Sequence, residues 1–493
     1  MSTSDIIWLL VQVIGSLALF LFGMKYMSEA LQRFAGQGMR NVLASFTSNR
    51  FKSILTGAFV TTVIQSSSAT TVMVVSFVNA GILKLRNAIG VIMGANIGTT
   101  MTAWIITLFG LKFDISAFAI PIIGAGFICM MLNKIKINQV GEFLVGFGIL
   151  FLGLTFLKNT ISDLDLQNSE AVRNIIAACV SDGNAHIGHV LLFLLIGTIL
   201  TTILQSSSAT MALTIVLCSE GVIPLELAVA LVLGENIGTT ITANIAAAIG
   251  NSTAKRAARA HLLFNTIGVL WILVVFRLVM PFINFLTISI EGVSPYVSAA
   301  AVPVALSLFH TLFNIMNTSI LVWFVPQIEK LTSLMVQGSN EEDEVEYRLK
   351  YINTGFMNVG EVSIELAKKE IGEFAKRMVR MYNFIPDLMK MKQNSKEYKP
   401  LLSRVQHYEE ISDRMEIEIA DYLDKIRSES ISGDSSLRMR GMLRIVDNLE
   451  SIGDQNYQLA KMIDDRNNAG VHFSEEMEKN LSGIFELVGQ ALE

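Results

Sequence analysis

A short polar phrase occurs twice in the chain, each time inside strongly apolar sequence. Residues 65–70 read Gln-Ser-Ser-Ser-Ala-Thr, and residues 205–210 repeat the same six residues. A second phrase, Gly-X-Asn-Ile-Gly-Thr-Thr, follows at residues 94–100 and 234–240, so the two copies of each phrase are separated by the same interval along the chain. Two polar motifs that share one interval indicate an internal duplication. Burying such amide and hydroxyl groups in apolar surroundings costs free energy unless they are hydrogen-bonded or handle a polar solute.

Composition places this duplication in a membrane. Of 493 residues, 52% are hydrophobic and 16% charged, and the mean hydropathy is +0.50, which excludes an ordinary soluble enzyme. Charges are sparse up to about residue 328 and dense afterwards, and the net charge of -5 gives no support to nucleic-acid binding. Residues 6–22 are apolar and are followed, not preceded, by basic residues, which favours a retained first span with the N-terminus outside. We therefore expect a multi-pass protein of the cell membrane.

A helix needs about 20 consecutive apolar residues to cross the hydrocarbon core of a bilayer, which is about 30 Å thick. The predicted spans are residues 6–24, 88–109, 113–132, 139–157, 226–249, 260–280 and 299–325. The apolar segments beside the Ser-rich phrases are shorter, and those at 53–64 and 69–83 reach only about 20 Å at 1.5 Å per residue. We therefore expect each Ser-rich phrase at the tip of a re-entrant helical hairpin, which enters and leaves the membrane on one side.

The distribution of Lys and Arg predicts opposite orientations for the two hairpins. Basic residues cluster at positions 25–52, 84–86, 134–136 and 255–259. All of these fall on the cytoplasmic side if the N-terminus is outside and the hairpins do not cross, so the first hairpin enters from the cytoplasm and the second from the exterior. The predicted fold is all-α, a polytopic membrane protein with two inverted-topology repeats, residues 1–137 and 138–330, each with a re-entrant hairpin. A duplication kept only for packing would explain the symmetry but not the polar breaks.

The two phrases offer neutral groups that suit a small anion and a hard cation. A helix that starts at a break presents free N–H groups with partial positive charge, and one that ends there presents free carbonyls. Oxygen donors without thiol or imidazole favour Na+ over a transition metal. Ser and Thr also join helices in membranes, but their pairing at two hairpin tips favours a binding role. The candidate residues for the small anion and the hard cation are Gln65, Ser66, Ser67, Ser68, Thr70, Gln205, Ser206, Ser207, Ser208 and Thr210, with Asn96, Thr99, Thr100, Asn236, Thr239 and Thr240 as further walls of the cavity.

Other polar residues break or extend this symmetry. Glu235 replaces Ala95 between the two copies of the second phrase, and it is a candidate for binding a cation, carrying a proton or pairing locally. A His-x-x-Phe-Asn element also occurs twice, and its His and Asn share a helix face, so structural and site-supporting roles are both open. Its residues are His261, Asn265, His310 and Asn314. No His or Asp lies close in sequence to activate the serines, so no catalytic role is predicted.

At this point the motifs resemble a known family. The paired Gln-Ser-Ser-Ser tetrads, each followed by Gly-X-Asn-Ile-Gly-Thr-Thr, together with the repeated His-x-x-Phe-Asn, resemble the type II sodium–phosphate cotransporter family in its bacterial form. The resemblance covers about residues 10–328. It implies inward coupling of inorganic phosphate to Na+, with both hairpins meeting at the substrate, and it points to residues 65–68 and 205–208 as the core of the site. The chemistry of the residues alone reaches only a small anion with a hard cation.

Beyond residue 340 the chain changes to amphipathic helices with dense charge. After a linker at 331–346, helices are predicted at 347–381, 398–427 and 435–466, interrupted by Pro386, Pro400 and Gly433. This pattern predicts a cytoplasmic helical bundle over residues 347–493.

One segment of the bundle resembles a second family. Residues 447–454 look like the signature of the PhoU family of phosphate-signalling bundles. Relative to that family we expect a shortened or incomplete bundle. The resemblance implies metal binding, and Glu-x-x-x-Asp spacing places each acidic pair on one helix face. The candidate metal ligands are Glu409, Asp413, Glu450 and Asp454, and solvated surface charge is the alternative.

The sequence leaves three functions open. The first is Na+-coupled uptake of phosphate by alternating access, with a regulatory bundle. The second is export of phosphate, or transport of another small anion. The third is a membrane-anchored phosphate sensor. Expected cofactors are Na+ and, in the bundle, a divalent or transition metal. Expected partners are inorganic phosphate and the lipid bilayer, with a homo-oligomer left open and no nucleic acid.

Overall fold

The computed structural model describes residues 3–45, 47, 49–79, 81–112, 116–132, 134–181, 184–248, 250–336, 349, 352, 360–391, 395–427, 433–471 and 473–492. The secondary structure of these residues is helical, apart from one antiparallel pair of two-residue strands, β1 (Val180–Ser181) and β2 (Asn184–Ala185). The chain divides into two compact units, Met1–Gly338 and Ser339–Glu493, and each has its own apolar core.

The first unit holds the repeated phrases. Its α-helices are α1 (Thr3–Ser45), α2 (Arg50–Ile64), α3 (Ser67–Asn79), α4 (Leu85–Ile105), α5 (Ser116–Met130), α6 (Ile135–Asp163), α7 (Glu170–Cys179), α8 (Ile187–Leu204), α9 (Ser207–Ser219), α10 (Leu225–Gly238), α11 (Thr240–Ala247), α12 (Ser252–Val274), α13 (Phe276–Glu291), α14 (Val302–Leu321) and α15 (Val325–Met335). A π-helix continues α4 over Ile106–Lys112, and short 3-10 turns lie at Leu166–Asn168, Ala299–Ala301 and Val322–Phe324. The end of α15 falls within the residues predicted as a linker.

Seven helical stretches among the described residues are long and apolar enough to cross a membrane. They are Trp8–Ala35, Leu85–Lys112, Ile135–Asn168, Ile187–Leu204, Leu225–Ala247, Ser252–Val274 and Ala299–Met335. The predicted span at 113–132 is not among them, because α5 has only 15 residues and residues 113–115 lie outside the described part. The described part of the chain is thus helical apart from β1 and β2, and it has several helices suited to a membrane.

The helices beside the two Ser-rich phrases differ in length. α2, α3 and α9 have 15, 13 and 13 residues, too short to cross at 1.5 Å per residue. α8 has 18 residues and is long and apolar enough to cross alone, which the sequence analysis did not predict. The difference has a local cause. Asn49 accepts a hydrogen bond from the Lys52 N–H at 2.9 Å and caps α2 at its start. α8 begins further upstream, at Ile187, whereas Val190 is the counterpart of the first residue of α2.

α12 begins earlier than predicted. A span was predicted at 260–280, but the helix starts at Ser252 because the Asn251 side chain accepts a hydrogen bond from the Ala254 N–H at 2.9 Å. The helix then ends at Val274, and α13 follows directly. The basic residues at 255–259 therefore lie in the first turns of the helix.

α1 and α6 pack closely through reciprocal glycine contacts. Gly23 lies against the backbone of Leu150, and Gly153 lies against the backbone of Phe20. Phe20 and Gly23 precede Leu150 and Gly153 by the same interval, so each helix presents the same pair of positions to the other. A Cβ at either glycine would overlap backbone atoms. Small residues thus set the approach of these two helices, as is common between membrane helices.

The second unit has four helices among its described residues. They are α16 (Gly360–Lys390), α17 (Tyr398–Arg427), α18 (Gly433–Asn468) and α19 (Glu475–Leu492). Phe374, Met415 and Val446 are buried in their shared core. The Tyr382 hydroxyl donates a hydrogen bond to the Phe485 carbonyl at 2.7 Å and attaches α19 to α16.

The predicted interruption at Pro386 is wrong, because α16 runs through this residue to Lys390. Ile385 and Leu388 beside it are fully buried, and their packing offsets the cost of about 3 kcal/mol for a proline inside a helix. Gly433 is the first residue of α18. The predicted start of the first helix, at residue 347, lies outside the described residues.

Candidate functional site at the paired breaks

Both Ser-rich phrases break the helix at the glutamine. Gln65 follows the last residue of α2 with φ 57° and ψ 30°, and Gln205 follows the last residue of α8 with φ 51° and ψ 26°. Residues other than glycine rarely adopt this left-handed region. The conformation turns the chain away from the first helix and ends its regular pattern of backbone hydrogen bonds. At the end of α2, the Ile64 carbonyl accepts a hydrogen bond from the Ser28 hydroxyl at 2.8 Å.

The next serine starts the second helix at each break. The Ala69 N–H donates a hydrogen bond to Ser66 Oγ at 3.2 Å, and the Ala209 N–H donates to Ser206 Oγ at 3.3 Å. Each serine is therefore an N-cap. The free N–H groups of the first turns of α3 and α9 consequently lie at the breaks.

A pair of threonines joins the two helices at each break. Thr61 donates a hydrogen bond to the Thr70 hydroxyl at 3.0 Å, and Thr201 donates to the Thr210 hydroxyl at the same distance. All four residues are at most 1% exposed. The sequence analysis did not single out Thr61 and Thr201, but their separation equals that of the phrases and could have revealed them.

The helix of each second phrase crosses the helix before the break at a glycine. Gly94 on α4 lies against the Ile54 carbonyl of α2, and Gly234 on α10 lies against the Leu194 carbonyl of α8. A Cβ at either position would overlap that carbonyl, so both crossings require glycine. The same contact thus recurs at equivalent positions of the two copies.

The two glutamines differ in their side-chain surroundings. Gln65 is buried, Thr102 donates a hydrogen bond to its Oε1 at 3.0 Å, and its Nε2 donates to a carbonyl of its own helix at 2.6 Å. Gln205 is exposed. Thr242, the counterpart of Thr102, donates instead to the Thr239 carbonyl at 2.9 Å. The first break is therefore attached to α4 by a bond that has no equivalent at the second.

Asn96 connects the second phrase to the His-x-x-Phe-Asn element. Its Nδ2 donates a hydrogen bond to Asn265 Oδ1 at 2.5 Å and joins α4 to α12. Its counterpart Asn236 donates to the Val232 carbonyl of its own helix at 2.8 Å. The helix also breaks at Thr239 in the second copy, between α10 and α11, whereas α4 continues without interruption.

The remaining predicted residues lie at the breaks or in the helices beside them. Ser67, Ser207 and Ser208 are buried, and Ser66, Ser68 and Ser206 are half-buried. Thr99, Thr100 and Thr240 are buried and donate hydrogen bonds to carbonyls of the preceding helical turn.

Five buried residues of α10, α12 and α14 have side-chain atoms without a hydrogen-bond partner. The atoms are Glu235 Oε2, both ring nitrogens of His261, Asn265 Nδ2, His310 Nδ1 and Asn314 Oδ1. Each residue is at most 2% exposed. An unpaired buried polar group costs about 1–3 kcal/mol, and the three helices that carry these atoms pack against one another.

Three of the four predicted metal ligands of the second unit converge. One carboxylate oxygen from each of Glu409, Asp413 and Asp454 lies within 4.8 Å of the others. Partial burial raises the pKa of Glu409, and the charges of Asp413 and Asp454 raise it further. Burial and the charge of Asp454 also raise the pKa of Glu450, which lies outside the converging group. The group has the oxygen chemistry of a hard-cation site, although its exposure also fits solvated surface charge.

A comparison with known families decides the relationship of the chain. The profile described as Na+/Pi-cotransporter matches residues 19–159 and 167–294, which make up more than half of the chain. The chain belongs to the Na+/Pi-cotransporter family. The match includes both breaks, both copies of the second phrase and Glu235, and it confirms the resemblance of the membrane region.

Three named proteins are similar in sequence to the chain. A Bacillus subtilis (strain 168) protein, "Uncharacterized protein YqeW", is 31% identical over 328 residues, 66% of this chain and 98% of the relative. An Escherichia coli (strain K12) protein, "Putative inorganic phosphate export protein YjbB", is 25% identical over 480 residues, 97% of this chain and 82% of the relative. The human "Sodium-dependent phosphate transport protein 2B" is 40% identical over 103 residues, 20% of this chain and 15% of the relative. No solved structure matches the chain.

Proposed function

We propose that this member of the Na+/Pi-cotransporter family is a secondary active transporter that couples Na+ to the movement of inorganic phosphate by alternating access. The pair of breaks at Gln65 and Gln205 carries the proposal. They share their backbone conformation, serine cap and threonine pair, so they supply two half-sites of the same chemistry. Membership in the family supports Na+ and phosphate as the solutes.

The breaks provide separate groups for the anion and for the cation. Phosphate suits the free N–H groups at the starts of α3 and α9, with the serine hydroxyls and the Gln65 and Gln205 amides as further donors. Na+ suits carbonyl oxygens at the ends of α2 and α8. In α2 the Thr62 and Ile64 carbonyls also accept hydrogen bonds from Gln65 Nε2 and from the Ser28 hydroxyl. Neither phrase contains Lys or Arg, so Na+ that binds first would supply the positive charge that phosphate needs.

We infer that the two repeats have inverted topology and that each break is the tip of a re-entrant hairpin. Contacts between residues predicted on the cytoplasmic side support this orientation. Arg33 pairs with Glu142 at 2.6 Å, and the Asn251 Nδ2 donates to the Asn79 carbonyl at 2.9 Å. All four residues are cytoplasmic if the N-terminus is outside.

A contact on the predicted outer side agrees with the same topology. Lys112 pairs with Glu291. Both residues follow predicted spans that run outward in the proposed arrangement. Rocking of one repeat against the other would then expose the breaks first to one side and then to the other.

The direction of transport is set by the gradients that drive it. Sequence similarity to a protein named for phosphate export extends over 97% of the chain, which makes export the second candidate function. The same half-sites would serve uptake or export, because a symporter runs in either direction with its ions.

We also propose that the second unit is a PhoU-like regulatory bundle that binds a divalent or transition metal. The convergence of Glu409, Asp413 and Asp454 supports this. Metal analysis of the purified full-length protein tests it, with Glu409→Gln/Asp454→Asn as the altered chain. Equal metal content in the two proteins would contradict the proposal.

Reconstitution of the purified protein in liposomes tests transport. An inward Na+ gradient should drive uptake of labelled phosphate, and replacing Na+ with choline should abolish it. Excess arsenate should compete more strongly than sulfate, because arsenate shares the charge and protonation of phosphate. Uptake that follows a pH gradient equally well without Na+ would overturn the coupling.

A further inference from the structure

The α8–α10 crossing differs from the α2–α4 crossing at two side chains. Thr198 and Glu235 stand where the first copy has Ala58 and Ala95 at the equivalent positions. Both changes add side-chain oxygen atoms where the first copy has only a methyl group. They occur together on the two helices that cross.

The backbone frame around these positions is the same in both copies. Gly98 lies against the Ala58 carbonyl, and Gly238 lies against the Thr198 carbonyl. Thr198 therefore occupies the place of Ala58 in three dimensions as well as in sequence. The difference between the crossings is one of side-chain chemistry.

The Thr198 hydroxyl contacts the residue that precedes Glu235. It donates to the Leu194 carbonyl at 2.9 Å and to the Gly234 carbonyl at 3.1 Å, and Gly234 directly precedes Glu235. Donation uses the hydroxyl hydrogen and leaves the oxygen lone pairs free to accept. The Thr198 hydroxyl oxygen, and the Leu194 and Gly234 carbonyls that accept its hydrogen bond, thus lie at the same helix crossing as Glu235.

The carboxylate of Glu235 lacks a counter-charge. Glu235 is 1% exposed, and its Oε2 atom has no hydrogen-bond partner. Neither α8 nor α10 contains Lys or Arg, and the structure gives Glu235 no ion pair among the described residues. A carboxylate buried at membrane depth needs a cation or a proton to offset its charge.

We propose that Glu235 and Thr198 form a Na+-binding position in the second repeat that the first repeat lacks. Carboxylate, hydroxyl and carbonyl oxygens are the ligand set of a hard cation. The proposal rests on the proposed Na+-coupled function and deepens it, because this ion binds at a helix crossing and not at the Ser-rich tips. The two repeats then contribute unequal numbers of Na+ ions.

The test compares wild type with Glu235→Gln, Thr198→Ala and the double variant Thr198→Ala/Glu235→Ala, which restores the alanine pair of the first copy. Two quantities are measured on the full-length protein. One is the Na+ concentration that gives half-maximal phosphate uptake. The other is the rise in melting temperature when NaCl replaces choline chloride without phosphate, since an ion that binds only the folded state stabilises it. Glu220→Gln, beyond the end of α9, is the control.

The Na+ concentration for half-maximal uptake should rise about tenfold in Glu235→Gln and in the double variant. The rise should be smaller in Thr198→Ala, and Glu220→Gln should match wild type. The Na+-induced melting shift should shrink in the same order. If Glu235→Gln does not fold, the Na+ dependence of uptake and the melting shift of Thr198→Ala alone test the proposal.

Unchanged Na+ dependence in the folded variants would overturn the proposal. A changed pH dependence of uptake with unchanged Na+ dependence would also overturn it, because Glu235 would then carry a proton. If wild type transports no phosphate, the proposed function fails, yet the Na+-induced melting shift still decides the Na+ position.

Discussion

Gln65 and Gln205 hold the same left-handed backbone conformation at equivalent breaks, but only Gln65 accepts a hydrogen bond from a neighbouring helix. Thr102 makes that bond, whereas Gln205 is exposed. The two half-sites that we propose are thus held in unequal states. Such inequality fits alternating access, in which one half-site is open while the other is closed.

Replacing Gln65 should cost more stability than replacing Gln205. Gln65→Ala leaves the buried Thr102 hydroxyl without its acceptor, which costs about 1–3 kcal/mol. Gln205→Ala removes an exposed side chain and should change the free energy of unfolding by less than about 0.5 kcal/mol. Melting of both variants in detergent checks this, and adding Thr102→Val to Gln65→Ala should recover part of the loss. Equal losses for Gln65→Ala and Gln205→Ala would contradict the asymmetry.

The glycine crossings should tolerate no side chain. A Cβ in Gly94→Ala or Gly234→Ala would overlap a backbone carbonyl of the facing helix, so both variants should lose folded protein, as measured by size-exclusion chromatography in detergent. Gly124 and Gly188 have open space around the corresponding Cβ position. Their alanine variants are matched controls and should elute like wild type. Normal elution of Gly234→Ala would show that the helices approach less closely than described.

The ion pair between α1 and α6 should couple the first helices of the two repeats. Arg33 and Glu142 lie 2.6 Å apart with side chains 31% and 18% exposed. Partial exposure limits the coupling energy to about 1 kcal/mol. A double-mutant cycle with Arg33→Ala and Glu142→Ala, read by thermal melting, measures it. The coupling should weaken at high salt, and strictly additive effects would show that the pair contributes nothing.

The acidic group of the second unit should destabilise the protein at neutral pH when no cation is bound. Burial and two nearby carboxylates raise the pKa of Glu409, so the folded state holds the proton more tightly than the unfolded state. The associated stability is present at low pH and is lost as pH rises through about 4.5 to the raised value. Glu409→Gln should therefore raise the melting temperature of the full-length protein at pH 7 but not at pH 4.

A control separates this effect from general loss of surface charge. Glu418→Gln removes an exposed carboxylate from the same helix, α17, and should change the melting temperature less at pH 7. A Glu409→Gln melting temperature equal to wild type at pH 7 would contradict the repulsion.

The sequence predicts a membrane protein of this family, because hydrophobic composition and the repeated polar motifs can be recognised without a structure. The sequence does not predict the asymmetry at the breaks, since both break residues, Gln65 and Gln205, are glutamines. Their counterparts Thr102 and Thr242 are likewise both threonines. Only the packing of whole helices decides which glutamine is buried. The start of α12 depended on a single side-chain cap, Asn251, which a hydropathy pattern does not register.

The central claim is that the two breaks form one Na+-coupled phosphate site. Its most direct test is Na+-driven uptake of labelled phosphate by liposomes that contain wild type, Gln65→Ala, Gln205→Ala or the surface control Gln167→Ala. The account predicts that both break variants lose most of the uptake while Gln167→Ala retains it. Wild-type uptake rates in both break variants, at equal amounts of folded protein, would contradict the account.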